Sequence, residues 1–185
     1  FQLKDQSFVL EHIHAHETLA ILVSFAIILA ASVKSAQFPF SSWLPRAMEG
    51  PTPSSSIFYG SIAVHIGIYL MLRTYDFWHN LMFVKVNIIL LGLLTGFVSS
   101  AIAKVQFSIK GQIAYSSLAQ IGIMMVEVAL GFETLALIHL TGNAFLRSYQ
   151  LLISPSIVTY LLRDQFFNFT RIKKVALKPW QLKLY

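Results

Sequence analysis

The chain has 185 residues, 56% of them hydrophobic and only 12% charged, with a mean hydropathy of +0.65. Its 14 Lys/Arg and 8 Asp/Glu cannot coat a soluble globule of this size, whereas a chain solvated by lipid needs few charges. The same composition excludes a disordered tail, and the lack of cysteine excludes disulfides, thiolate zinc sites and cysteine-held iron–sulfur clusters. The sequence opens at Phe1 with no charged n-region and no cleavage signal, so it is expected to be a piece of something longer.

Residues 1–17 read as a polar lead-in. His12, His14 and His16 would share one side of an extended chain but scatter around a helix, and without a fourth ligand they are read as part of the lead-in rather than as a metal site. Five long apolar runs follow. The first extends from Thr18 to Val33 and stops at Lys34, the second from Gly50 to Leu72, and the third from Val86 to Ala103 between Lys85 and Lys104. A fourth begins after Lys110 and reaches Phe132, interrupted by Glu127. The fifth runs from Thr134 to Leu162, interrupted by His139, Arg147 and Pro155. About 20 helical residues cross the roughly 30 Å hydrocarbon layer, so each run is long enough. The runs exceed a barrel strand and lack its apolar/polar alternation. The expected fold is an all-α polytopic transmembrane bundle of about five spans, residues 18–162, with a proline-broken helix. Gly67, Gly92, Gly96, Ser99, Ser100 and Gly122 fit close helix contacts, or simply the ordinary glycine usage of membrane helices.

Basic residues outside the spans set orientation. Arg46, Lys104, Lys110, Arg163, Arg171, Lys173, Lys174, Lys178 and Lys183 fall on one side, and Lys4, Arg73 and Lys85 on the other. The richer side is expected to be cytoplasmic. Residues 163–185, with Trp180 and Tyr185, read as a basic aromatic tail at the headgroup level, facing anionic lipid or a partner subunit. Nothing resembles a nucleic-acid module.

Ionisable residues inside spans are costly and need either a function or a route to the interface. Lys34 precedes Pro39, which lacks an N–H and disfavours helix at Phe38, so the helix should break about a turn past Lys34. Lys34 then either lines a polar pocket at the break or snorkels to the surface. Pro45, Pro51 and Pro53 make the segment after it a re-entrant or interfacial turn, in which Glu49 is placed to pair with Lys34 or Arg46. His65 lies mid-span with Tyr59 six positions earlier. His139, Asn143 and Arg147 recur at i, i+4 and i+8, a drift of about 40° per step, so they share one helix face. That stripe implies an inward face, used either to pass protons or to bridge helices by hydrogen bonds. Glu127 reads as interfacial. No phosphate loop, metalloprotease motif or nucleophile elbow is present.

Lys34-Ser35-Ala36-Gln37-Phe38-Pro39-Phe40, then Trp43-Leu44-Pro45, Ala47-Met48-Glu49-Gly50-Pro51-Thr52-Pro53 and Ser55, resembles the signature of the antiporter-like subunits of respiratory complex I. It is most similar to the L-type subunit and to the large subunits of Mrp cation/proton antiporters. Ile109-Lys110, Ile113-Ala114-Tyr115-Ser116-Ser117, Gln120-Ile121-Gly122, His139-Leu140 and Ala144-Phe145 resemble later helices of the same family. The resemblance covers Thr18 to Leu152. It implies that Lys34 lies in a broken helix and belongs, with His139 and other lysines, histidines and acids, to a proton relay along the membrane midplane. Departures touch the same positions. Tyr59 stands where a histidine is usual, with His65 two turns later; Asn143 replaces a second histidine, Arg147 a lysine, and Arg46 a commonly acidic residue. An arginine cannot release a proton as a lysine can. These departures resemble the DabB-type subunits that pair with DabA in inorganic carbon accumulation.

The expected function is a proton-translocating membrane subunit whose relay comprises Lys34, His65, His139 and Arg147, supported by Glu49, Tyr59, Lys110 and Asn143. The alternatives are a DabB-like coupling subunit and a non-conducting structural subunit. The chain would be at most a subunit of a translocase of the NADH:quinone oxidoreductase type, with no cofactor of its own. Its partners would be the lipid bilayer and other subunits of a complex I-like or DabA-like membrane complex, with no nucleic acid. Its place would be a bacterial inner membrane with the tail cytoplasmic.

Overall fold

A computed structural model describes residues 17–167. The His12, His14, His16 cluster and the tail beyond residue 167 lie outside the described residues. Two compact units are distinguished, residues 1–154 and 155–185. The first holds all that follows; in the second, the described residues 155–167 are helical.

Among the described residues every regular element is helical. Helix α1 spans Glu17–Lys34, α2 Trp43–Ala47, α3 Thr52–Arg73, α4 Tyr75–Trp78, α5 Met82–Lys104, α6 Ile109–Ala129 and α7 Glu133–Phe167. The five long helices match the five apolar runs in position. By length and composition, however, three of them, α1, α3 and α5, are apolar enough to cross a membrane. The physical reason lies in α6 and α7, where Gln112, Gln120, Glu127, His139, Asn143, Arg147 and Gln150 dilute the apolar content.

The spans are built inside out relative to a soluble helix. On α1 the buried positions are Ala20, Ser24, Ile28, Ala31 and Ser32, while Leu19, Leu22, Leu29 and Val33 are exposed. On α5 Gly92, Thr95 and Ser99 are buried, while Phe83, Leu90, Leu93 and Phe97 face outward. Lipid is as apolar as leucine, so large side chains gain nothing by turning inward, and small residues allow backbones to approach. Helices α5 and α6 approach backbone to backbone. A Cβ added at Gly122 would lie 2.5 Å from the Gly92 carbonyl oxygen and 2.8 Å from the Gly96 nitrogen. Helix α6 is the core element, burying Ala114, Leu118, Ile121, Met124, Met125 and Val128.

The break after α1 is a defined closure. Gln37 N–H donates to the Ser32 carbonyl at 2.8 Å and Ala36 N–H to that of Val33 at 3.4 Å, with Ala36 at φ +54°. This is a Schellman closure with alanine in the left-handed position that glycine usually fills. The helix therefore ends at Lys34 itself rather than a turn beyond it. Trp43 Nε1–H caps the Val33 carbonyl at 3.0 Å, and Phe38 N–H donates to Thr95 Oγ1 at 3.0 Å, tying the break to α5. The Phe38-Pro39 bond is cis. Pro51 is extended and Pro53 sits in the first turn of α3, where a missing N–H costs no helical hydrogen bond. Within α3, Ser55–Ala63 is wound as π-helix and His65–Arg73 as α-helix.

Helix α6 is capped by Ser108, whose Oγ accepts from Gly111 N–H at 3.0 Å. Replacing Ser108 with alanine is expected to lower stability by about 1 kcal/mol, read as a lower unfolding midpoint in detergent. At its other end, Phe132 N–H donates to the Glu127 carbonyl and Gly131 N–H to that of Val128, with Gly131 at φ +90°. This second Schellman turn folds α7 back from α6 within three residues.

Candidate functional site

The polar stripe expected on α7 is present, and it faces polar groups from α3 and α6. His65 is buried, at 3% exposure, in the first turn of the α-helical part of α3. Asn143 Nδ2–H donates to His65 Nε2 at 3.0 Å, and Arg147 Nε–H donates to Asn143 Oδ1 at 3.2 Å. Arg147 also donates from Nη1 to Gln150 Oε1 at 2.7 Å and from Nη2 to the Ser116 carbonyl at 3.3 Å. All three acceptors are neutral oxygens. Asn143 and Arg147 are 6% and 8% exposed, so this cation is buried on hydrogen bonds with no carboxylate partner among the described residues. Further along the same contact, Ser56 Oγ donates to the Ser148 carbonyl and the Ser61 and Ser148 hydroxyls bond to each other.

One turn towards the N-terminus of α7, His139 Nδ1 lies 2.9 Å from Glu127 Oε1, and its Nε2 lies 3.0 Å from Gln120 Oε1. Their side chains are partly exposed, 24% for His139 and 16% for Glu127. The second carboxylate oxygen of Glu127 is buried without a hydrogen-bond partner. The Schellman turn explains the pairing, because it places Glu127 beside the first turns of α7. A groove of about 430 Å³ between α5 and α6, lined by Gly92, Gly96, Ser100, Gln120 and Ile123 among others, reaches Gln120.

The remaining expected residues are arranged differently. Lys34 is exposed on the outer side of α1, beside an open groove of about 710 Å³ lined by Ala26, Leu29, Ala30, Val33 and Trp43. Glu49 and Arg46 are exposed, and among the described residues neither forms an ion pair with Lys34 or with the other. Tyr59 packs its ring against Trp43, centroids 6.4 Å apart and nearly perpendicular. Lys110 donates from Nζ to the Gly50 carbonyl at 2.7 Å, which anchors the proline-rich turn to the start of α6. His65, Asn143 and Arg147 thus come together, His139 joins a neighbouring pair, and Lys34, Glu49, Tyr59 and Lys110 stand apart from both. Glu127 and Gln120 were not singled out as partners from the sequence. Their i, i+7 spacing on α6 is the signal that would have paired them on one face.

An all-helical bundle with small residues inside, large apolar residues outside and an ionisable cluster within defines an integral membrane protein. Residues 3–178 match the family described as NADH:quinone oxidoreductase/Mrp antiporter, TM, and the chain belongs to that family. It is 38% identical over 154 residues to NADH-ubiquinone oxidoreductase chain 5 of Locusta migratoria, covering 80% of this chain and 26% of that protein. It is 39% identical over 140 residues to the chloroplastic NAD(P)H-quinone oxidoreductase subunit 5 of Oryza sativa, covering 76% and 19%. Likeness to the probable inorganic carbon transporter subunit DabB2 of Halothiobacillus neapolitanus is 36% over 168 residues, covering 89% and 30%. The chain spans less than a third of the length of these relatives.

Proposed function

We propose that this chain is part of a proton-translocating, antiporter-like membrane subunit, and that protons move by way of Lys34 and the histidines His65 and His139, with Arg147 setting the field around them. The observation that carries this reading is the His139 site. An imidazole held between the Glu127 carboxylate and the Gln120 amide oxygen is built to take up and pass on a proton, because each ring nitrogen faces an acceptor. Lys34 fits as a charged group whose partner lies elsewhere in the longer protein, since its neighbours here are apolar. A change of charge beside it alters the energy of any proton on the neighbouring relay. The partners are then other subunits of a membrane complex, and the residues on the basic side, Arg46, Lys104 and Lys110 among them, face the cytoplasm of a bacterial cell.

Replacing Lys34 with methionine in the full-length protein, reconstituted in vesicles with its complex, is expected to abolish driven proton uptake while leaving assembly intact. Unchanged uptake would refute conduction and leave a structural subunit. The likeness to DabB2 over 89% of the chain favours a second reading, an energy-coupling subunit of an inorganic carbon complex. The co-purified partner separates the two: flavin and iron–sulfur subunits for the first, a soluble zinc protein without redox centres for the second.

A further inference from the structure

The two histidines of the cluster differ in what surrounds them. His139 faces acceptors at both ring nitrogens. His65 faces a donor, and the reason is Arg147. A guanidinium can only donate, so its Nε–H fixes Oδ1 of Asn143 on its own side and turns the Nδ2 amino group towards His65. Nε2 of His65 must then accept, which leaves the ring neutral with its proton on Nδ1. For His65 to be protonated at Nε2, the Asn143 amide would have to turn over and break its bond to Arg147. The added charge would also lie two hydrogen bonds from a fixed cation that has no carboxylate on it among the described residues.

We infer that Arg147 is a positioning residue which, through Asn143, closes His65 to protons in the conformation described, so that an excess proton is held at the His139–Glu127 pair until this clamp releases. The charges facing the cluster agree. Glu127 stands at the His139 end and attracts positive charge, while Arg147 stands one turn beyond Asn143 and repels it. Access agrees as well, since the groove between α5 and α6 reaches Gln120 at the His139 end, whereas His65, Asn143 and Arg147 are all more than nine-tenths buried. The inference rests on the proposed conduction, for a clamp has no role in a subunit that moves no protons. A lysine at position 147 would keep the charge and a donor, but an apolar residue would keep neither.

The test uses the full-length protein assembled with its partner subunits in vesicles. With no driving reaction, under an imposed membrane potential, Arg147→Met is expected to leak protons at least about tenfold faster than wild type, and Arg147→Lys to restore most of the tightness. An assembled Arg147→Met variant that leaks no faster than wild type would overturn the inference. Nitrogen-15 NMR of the His65 ring in the wild-type protein tests the same point without a variant. A neutral ring with its proton on Nδ1 is expected, and a doubly protonated ring or one protonated at Nε2 overturns it. Failure of the proposed function reads differently: wild type would then move no protons even when driven, whatever the ring of His65 shows.

Discussion

Replacing Gly122 with alanine is expected to destabilise the bundle by about 3 kcal/mol, seen as a large drop in its unfolding midpoint in detergent or lipid. The contacts there are backbone, which cannot swing aside as a side chain can. A Cβ at residue 122 would press on the Gly92 carbonyl and on the nitrogen and Cα of Gly96, so α5 and α6 would have to separate along their whole contact. Without a hydrophobic force between helices in lipid, that lost packing has little to replace it. Gly142 supplies the control. It too is helical, on α7, but a Cβ there meets nothing within 4 Å, so Gly142→Ala is expected to be neutral or slightly stabilising. Equal effects at the two sites would show that helix propensity, and not the α5–α6 approach, governs both.

Glu127→Gln is expected to lower driven proton uptake at least about tenfold while the protein still assembles. A glutamine oxygen can accept from His139 Nδ1–H as the carboxylate does at 2.9 Å, so the helix contact survives. The negative charge is lost, and with it the attraction between the carboxylate and a proton passing along the relay. Glu127→Leu would remove the acceptor as well and is expected to lower both uptake and stability. Uptake by Glu127→Gln equal to that of wild type would make the pair a structural tie between α6 and α7.

Features set by local chemistry were legible in the sequence. The five long helices follow from long apolar runs, and the face shared by His139, Asn143 and Arg147 follows from helical spacing alone. The end of α1 was legible in kind but misplaced by a turn, because it is set by Ala36 adopting a left-handed backbone, which alanine does not announce. What needed tertiary structure was hidden. Glu127 looked interfacial because nothing local shows that Gly131 folds α7 back against it. Glu49 looked placed to pair with Lys34 or Arg46, yet the fold leaves all three exposed, with no ion pair between them among the described residues. Lys110 was named only as a supporting residue, and the fold gives it the Gly50 carbonyl.

The π-helical winding of Ser55–Ala63 fixes where everything after it points. Such a stretch holds more residues per turn than an α-helix, and Ser61 follows it by donating to the carbonyl of Ser56, five residues back. Wound as α-helix instead, the same nine residues would each turn the chain by about 100° rather than by the smaller step of a π-helix, and the rest of α3 would meet α7 with its faces turned. His65 would then leave Asn143. The angular setting of the histidine is thus stored in the winding of the backbone upstream, so that winding matters to the site as much as the identity of any residue in the segment.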